Sequence, residues 1–178
     1  MLKIAFDNIY KHPLKENHRF PMIKYELIPE QLLRENTCKE ENFFEPGEIN
    51  HLDILNVHDK IYYKKLINQD LSPKEARAIG FPMSEQLVKR EKKIVQGTIE
   101  GALYSLKYGI SMNIAGGTHH AFTNKGEAFC LLNDQAIAAK YLISKNYCSK
   151  ILILDLDVHQ GNGTAEIFNN NEKVFTAS

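Results

Sequence analysis

Cysteine is scarce, neither sign of charge prevails, and no long apolar run occurs anywhere in the 178 residues. Each shortage closes off a class of protein. Cys38, Cys130 and Cys148 are odd in number, far apart and without CxxC spacing, which argues against a disulfide framework or a Cys-rich zinc site and for buried, reduced thiols. Basic and acidic residues balance at 22 each and are scattered rather than blocked. That distribution lacks the electrostatic footprint of a nucleic-acid binder or of a protein held at an anionic membrane. No stretch nears the roughly 18 apolar residues of a membrane span, and the opening MLKIAFDNIY lacks the apolar core of a secretory signal. The expectation is a cytoplasmic protein with no nucleic-acid or membrane partner, in a single domain spanning residues 1–178.

What is present reads as alternating strand and helix. LKIAF alternates Leu2, Ile4 and Phe6 as a short strand does, and RFPMIKYELIPEQLL has helical character that Pro29 should interrupt. NTCKEENFFEPGEIN reads as a surface loop and HDKIYYKKLI as a short helix. In SPKE, Ser72 can cap, Pro73 can take the first helical position and Glu75 can reach back to the cap, with Gly80 as the stop. Ser84 then opens a long amphipathic helix ending at Gly109. ISMNIAGG follows as a strand, NDQAIAAKYLISKN as a helix, KILILDLDV as a strand, TAEIFNN as a short helix and KVFTAS as a further strand. This order predicts an α/β fold, a mostly parallel sheet with helices on both faces and ligands beyond the carboxyl ends of the strands.

LILDLDVHQGNG poses a physical problem. Alternation puts Ile151, Ile153, Asp155, Asp157 and His159 on one face of a buried strand and Leu152, Leu154, Leu156 and Val158 on the other. Burying an unpaired carboxylate costs several kcal/mol, so the trio needs a metal, a histidine or backbone donors. Asp and His suit zinc, and an i, i+2 pair can aim two ligands at one point; a strand end whose aspartates cap the next loop is the alternative. In GGTHHAF, Gly116 and Gly117 allow a tight turn that delivers His119 and His120 to the same edge. A tandem histidine pair facing a metal suits proton transfer, with Asp155 free to orient one ring. The strands ending at Gly117 and Val158 should then be parallel, buried neighbours, with all five polar side chains converging at one end.

In order and spacing, GGTHHAF, GEAFCLLNDQAIAA and ILILDLDVHQGNGT resemble three successive active-site segments of the histone deacetylase superfamily, which has the three-layer arginase-deacetylase fold. HRFPMIKYELI and LSPKEARAIGFPMS resemble its bacterial class IV-like branch. The resemblance implies zinc-dependent hydrolysis of an acyl-lysine or small acylated amine, with iron able to replace zinc. It assigns Asp157 and His159 as zinc ligands, His120 as general base, His119 as its partner and Asp155 as hydrogen-bonded to His119. Phe129 would line a narrow tunnel for the acyl-lysine stem. A structural potassium ion is implied at the Asp155 carboxylate, the main-chain carbonyls of Asp155, Asp157 and His159, and the Ser178 hydroxyl.

The resemblance is to the amino-terminal half of the superfamily's domain. A third zinc ligand, an aspartate, and an oxyanion-stabilising tyrosine belong to the other half. Asn162 stands where many members have an aspartate beside the second histidine, in the HQGNG form of the class IV-like branch; an amide stabilises an imidazolium less than a carboxylate would, which suits a base. Ala128 replaces a common glycine beside the tunnel phenylalanine, and GFPMS lacks a rim carboxylate, so no histone peptide is assumed. A two-metal arginase-like hydrolase would need another carboxylate where Gly161 stands. A non-catalytic fragment or acyl-binding pseudoenzyme is the alternative from another class.

Overall fold

A computed structural model describes every residue from Met1 to Ser178. Five short strands alternate with seven α-helices. β1 (Lys3–Ala5) lies between β2 (Phe43–Phe44) and β3 (Ser111–Asn113), both parallel to it, with Ile4 opposite Phe43 on one side and Met112 on the other. A second parallel pair joins β4 (Ile151–Leu154) to β5 (Val174–Ala177), with Ile151 opposite Val174. The expectation that the strands before His119 and before Asp155 are neighbours is not met, because β3 and β4 belong to separate sheets. Both still run so that their carboxyl ends feed the same region.

Local signals set the helices. α3 (Lys60–Asn68) is capped by the Asp59 carboxylate, which accepts from the Ile61 and Tyr62 N–H groups. α4 (Pro73–Ile79) has the capping box seen in the sequence: the Glu75 carboxylate accepts the Ser72 N–H at 2.8 Å and Ser72 Oγ accepts the Glu75 N–H at 3.3 Å. Ser84 caps the 24-residue α5 (Glu85–Tyr108), and left-handed Gly109 ends it. α5 buries Leu87, Ile94, Val95 and Ile99 and packs on β1, β3 and α6 (Asp134–Ser144). Its length makes it the beam to which the first sheet and α6 are both attached.

Several local expectations change. α1 (Lys24–Arg34) runs through Pro29, which occupies its sixth position and is buried; the helix forgoes one backbone bond there and continues. The expected loop at residues 36–50 contains β2, recruited as an edge strand of β1, and α2 (His51–Leu55) follows it. α7 (Asn162–Ile167) begins two residues before TAEIF.

The largest change concerns the strand that carries charge. β4 stops at Leu154, so Asp155, Asp157 and His159 sit in the loop beyond it rather than on the strand. Ile153 is buried beneath the helices, whereas Leu152, Leu154, Leu156, Val158 and Phe175 are exposed, Leu156 at 84 % and Val158 at 92 %. Helices cover only one face of β4 and β5. Alternation assigned the two faces correctly within β4 but not beyond it, where Asp157 and His159 are exposed, and the face expected to be buried under a second layer is open.

Candidate active site

The loops following β3 and β4 meet. The first begins at Gly116, whose φ of 126° no side chain adopts easily and whose Cβ would lie 2.6 Å from the Asp134 carboxylate. That buried carboxylate, at the start of α6, accepts from the Thr118 N–H at 2.8 Å, Thr118 Oγ at 2.6 Å and Thr98 Oγ at 2.7 Å. It therefore fixes the turn that presents the two histidines. A second clamp comes from fully buried His58, whose Nδ1 donates to the Phe122 carbonyl at 2.9 Å while Nε2 accepts the Asn133 N–H at 2.9 Å. Burial pushes the His58 pKa down to about 4. Neither clamp was recognised in the sequence: Asp134 reads as an ordinary first-turn acid, and a lone histidine before a helix carries no pattern.

His119 Nδ1 donates to Asp155 Oδ2 at 2.5 Å, and His120 Nδ1 donates to Asn162 Oδ1 at 2.7 Å. The Gly163 N–H also donates to Asn162 Oδ1, at 2.9 Å, which fixes the amide orientation. In both rings Nε2 is left as the basic nitrogen. The two imidazole centroids are 4.1 Å apart, and that of His159 lies 6.1 Å from that of His120. The expected convergence of His119, His120, Asp155, Asp157 and His159 is present, although the strands behind them are not paired.

Asp157 and His159 form a contact of their own. Asp157 Oδ1 accepts from the His159 N–H at 2.8 Å and from its Nδ1 at 3.0 Å, and Asp155 Oδ1 accepts the Asp157 N–H at 3.0 Å. The His159 backbone N–H, then its ring, hold the Asp157 carboxyl below its ordinary value. The aspartates thus also cap the loop, the alternative weighed for them from sequence. As a metal site, the pair has the chemistry zinc prefers, with Asp157 Oδ2 and His159 Nε2 uncommitted, but no third His, Cys, Asp or Glu joins it to make a three-ligand cluster. It fits zinc as a partial donor set.

Asp155 and Ser178 line a separate cavity of about 280 Å³, where Ser178 Oγ accepts the Gly161 N–H at 2.9 Å. Asp157 and His159 line the main cavity instead, about 480 Å³, together with His119, His120, Phe129 and Cys130. Phe129 is held among Phe20, Phe81 and His18, with ring centroids 4.9 to 6.0 Å away. Ala128 and Phe129 both take left-handed backbone, φ 45° and 68°, and donate to the carbonyls of Ala78 and Ile79. Burial pushes the Cys130 thiol far above its usual value, so it is not a nucleophile. The wall is not apolar throughout, because Arg19, Lys24 and Arg90 also line it. Arg19 and Lys24 fall within HRFPMIKYELI, whose spacing did not point them inward, and Arg90 comes from α5.

Parallel strands, covering helices and a histidine pair at the strand ends define an α/β fold of the arginase-deacetylase type. The histone deacetylase domain family matches residues 18–178, and the chain belongs to that family. It is 42 % identical over 175 residues to an uncharacterized protein of Picosynechococcus, covering 98 % of this chain and 58 % of that one. It is 28 % identical to the acetoin utilization protein AcuC of Staphylococcus aureus, over 97 % of this chain and 46 % of that one. A crystal structure of a histone deacetylase homologue from Aquifex aeolicus superposes with a TM-score of 0.82 at 25 % identity, over 98 % of this chain and 50 % of that one. A homologue complexed with SAHA superposes at 0.80 and 26 % identity, with the same coverage. The chain spans about half the length of the relatives it matches. No helix is long and apolar enough to cross a membrane.

Proposed function

We propose that the chain is the amino-terminal part of a single-domain amide hydrolase that removes acyl groups from lysine or from a small acylated amine. The observation that carries this reading is the side-by-side pair His119–Asp155 and His120–Asn162, opening on the same cavity as Asp157 and His159. His120, oriented by Asn162, takes the proton of the attacking water as the water oxygen adds to the acyl carbonyl carbon. The carbon–nitrogen bond then breaks as the departing amine takes that proton from the histidine pair, leaving a carboxylic acid and an amine, and the acid's proton passes to the amine to give a carboxylate and an ammonium. Asp155 keeps His119 in one tautomer by accepting its Nδ1–H. Phe129 lines the channel for the aliphatic stem.

Zinc, or iron in its place, would be held by Asp157 and His159 and when bound supplies Lewis-acid polarisation of the carbonyl and acidification of water. A third protein ligand and the oxyanion donor come from outside these residues. Potassium is assigned to the Asp155 carboxylate, the main-chain carbonyls of Asp155, Asp157 and His159, and the Ser178 hydroxyl; the shared cavity of Asp155 and Ser178 supports that choice. The three free thiols suit the cytoplasm, and the balanced charge gives no reason to assign a nucleic-acid or membrane partner.

The test is zinc content and turnover of an acetyl-lysine reporter, for the chain with its natural continuation and for the 178 residues alone. The extended protein should bind zinc and hydrolyse the reporter. The shorter one should bind zinc weakly and be slower by on the order of 10²-fold or more, from loss of the oxyanion donor alone. Full metal-dependent turnover by the 178 residues, lost in Asp157→Ala, would overturn the claim that they are incomplete. An inactive extended protein would favour an acyl-binding pseudoenzyme.

A further inference from the structure

Among these 178 residues, the side chains that line the main cavity carry more positive than negative charge, and two of the cations have no carboxylate partner within them. Asp157 is the only carboxylate among the residues that line it, against Arg19, Lys24 and Arg90. Arg90 is committed elsewhere: its Nε donates to the Tyr10 carbonyl at 2.7 Å and its guanidinium pairs with buried Glu91. Lys24 and Arg19 have no carboxylate within 4.0 Å and are held instead over aromatic rings. Lys24 Nζ lies 4.8 Å from the ring centre of Phe20 and 5.1 Å from that of Tyr25, and the Arg19 guanidinium lies 4.7 Å from that of Phe129. A ring face attracts a cation but neither neutralises it nor accepts all its N–H bonds. Lys24 is half-buried, so it loses hydration without gaining a partner. Burial first and Arg90 second lower its pKa, while Asp157 raises it, which sets Lys24 in electrostatic range of the reacting end of the cavity.

An acyl group whose carbonyl faces the histidine pair must place the rest of its chain in this same cavity, whose volume of about 480 Å³ far exceeds what a methyl group fills. We propose that Lys24, with Arg19, receives a carboxylate at the far end of the acyl chain, so that the enzyme favours short dicarboxylic acyl-lysines such as succinyl-lysine over uncharged acyl groups of similar length. This rests on the amide-hydrolase reading above and names its substrate class. A carboxylate also arises as the product of hydrolysing any acyl-lysine, so the experiment must separate the two sources.

The full-length, zinc-loaded protein is assayed on matched peptides bearing acetyl-, butyryl- or succinyl-lysine, with circular dichroism confirming that each variant is folded. Succinyl-lysine should be preferred over butyryl-lysine in kcat/KM, and Lys24→Met should reduce that ratio about tenfold or more, as expected for loss of a charge-assisted hydrogen bond. Lys24→Arg should restore most of it. A preference for butyryl-lysine in the native protein, or a ratio untouched by Lys24→Met, overturns the proposal. So does a variant that changes only inhibition by acetate and leaves the acyl ratio alone, since the carboxylate held is then the product. Binding of N-propylsuccinamate to the metal-free protein, followed by calorimetry, should be lost in Lys24→Met. If no acyl-lysine is hydrolysed, the hydrolase reading fails on its own, and absence of that binding overturns the carboxylate subsite as well.

Discussion

The Asn162 amide oxygen accepts two donors at once, the Nδ1–H of His120 at 2.7 Å and the backbone N–H of Gly163 at 2.9 Å. The second bond fixes the direction in which the first points. Asn162→Leu removes the acceptor from both, and His120 loses its fixed tautomer. A fall in kcat on the order of tenfold or more is expected in the full-length protein, with a smaller change in KM, since orientation of a general base matters in the transition state. Steady-state kinetics decide it; an unchanged kcat would remove Asn162 from the site.

Gly161 faces Asp155 so closely that the carboxylate Oδ2 occupies the space a Cβ would need. Gly161→Ala must push Asp155 away from His119 or distort the loop. Overpacking of this kind costs about 1–3 kcal/mol, measurable by denaturant unfolding of the full-length protein, and activity should fall with it. Equal stability and equal activity would mean that the loop yields freely.

His58 should make the protein acid-sensitive. Its folded pKa of about 4 lies below the unfolded value near 6.5, so the unfolded chain binds the proton more readily. The contribution is complete above about pH 6.5 and is lost as pH falls toward 4, by about 3 kcal/mol in all. Urea midpoints of the full-length protein measured across that window should fall steadily, and His58→Gln should flatten this dependence while starting from a lower midpoint. A native protein with a flat profile would contradict the buried, neutral histidine.

The open face of β4 and β5 gives a prediction about the isolated 178 residues. Leu152, Leu154 and Phe175 are exposed on the paired strands, and Leu156 and Val158 are exposed in the loop just beyond β4, the kind of apolar surface that drives association. The isolated chain should bind a hydrophobic dye and self-associate, and Leu152→Lys with Leu154→Lys should reduce both. Light scattering and dye fluorescence check this; a monomeric, dye-silent, cooperatively unfolding chain would show that the face is tolerated in water.

Features written locally were readable in the sequence. The Ser72–Glu75 box, the Ser84 cap and the Gly109 stop need only neighbours along the chain, and all are found as expected. His119, His120, Asp155 and Asn162 could be paired because the superfamily resemblance supplied partners that spacing alone does not. Contacts across long separations were not readable. His58 meets Asn133 across 75 positions, and Lys24 reaches the cavity through the packing of α1 rather than through any motif. Pro29 looked like a helix stop because its local cost was visible, whereas the burial that holds α1 together was not.

Each histidine dyad bridges two sheets that pair no strand with each other, His119 and His120 following β3 while Asp155 and Asn162 follow β4, and a backbone bond from the Thr164 N–H to the His119 carbonyl at 3.1 Å joins the same two segments beside them. The site therefore acts as a strain gauge across a seam. A sliding motion of less than an ångström between the groups would stretch both dyads before any helix or strand was lost. In a denaturant titration of the full-length protein, any acyl-lysine turnover should disappear ahead of the far-ultraviolet signal, and whatever braces the seam sets the range over which the dyads stay assembled.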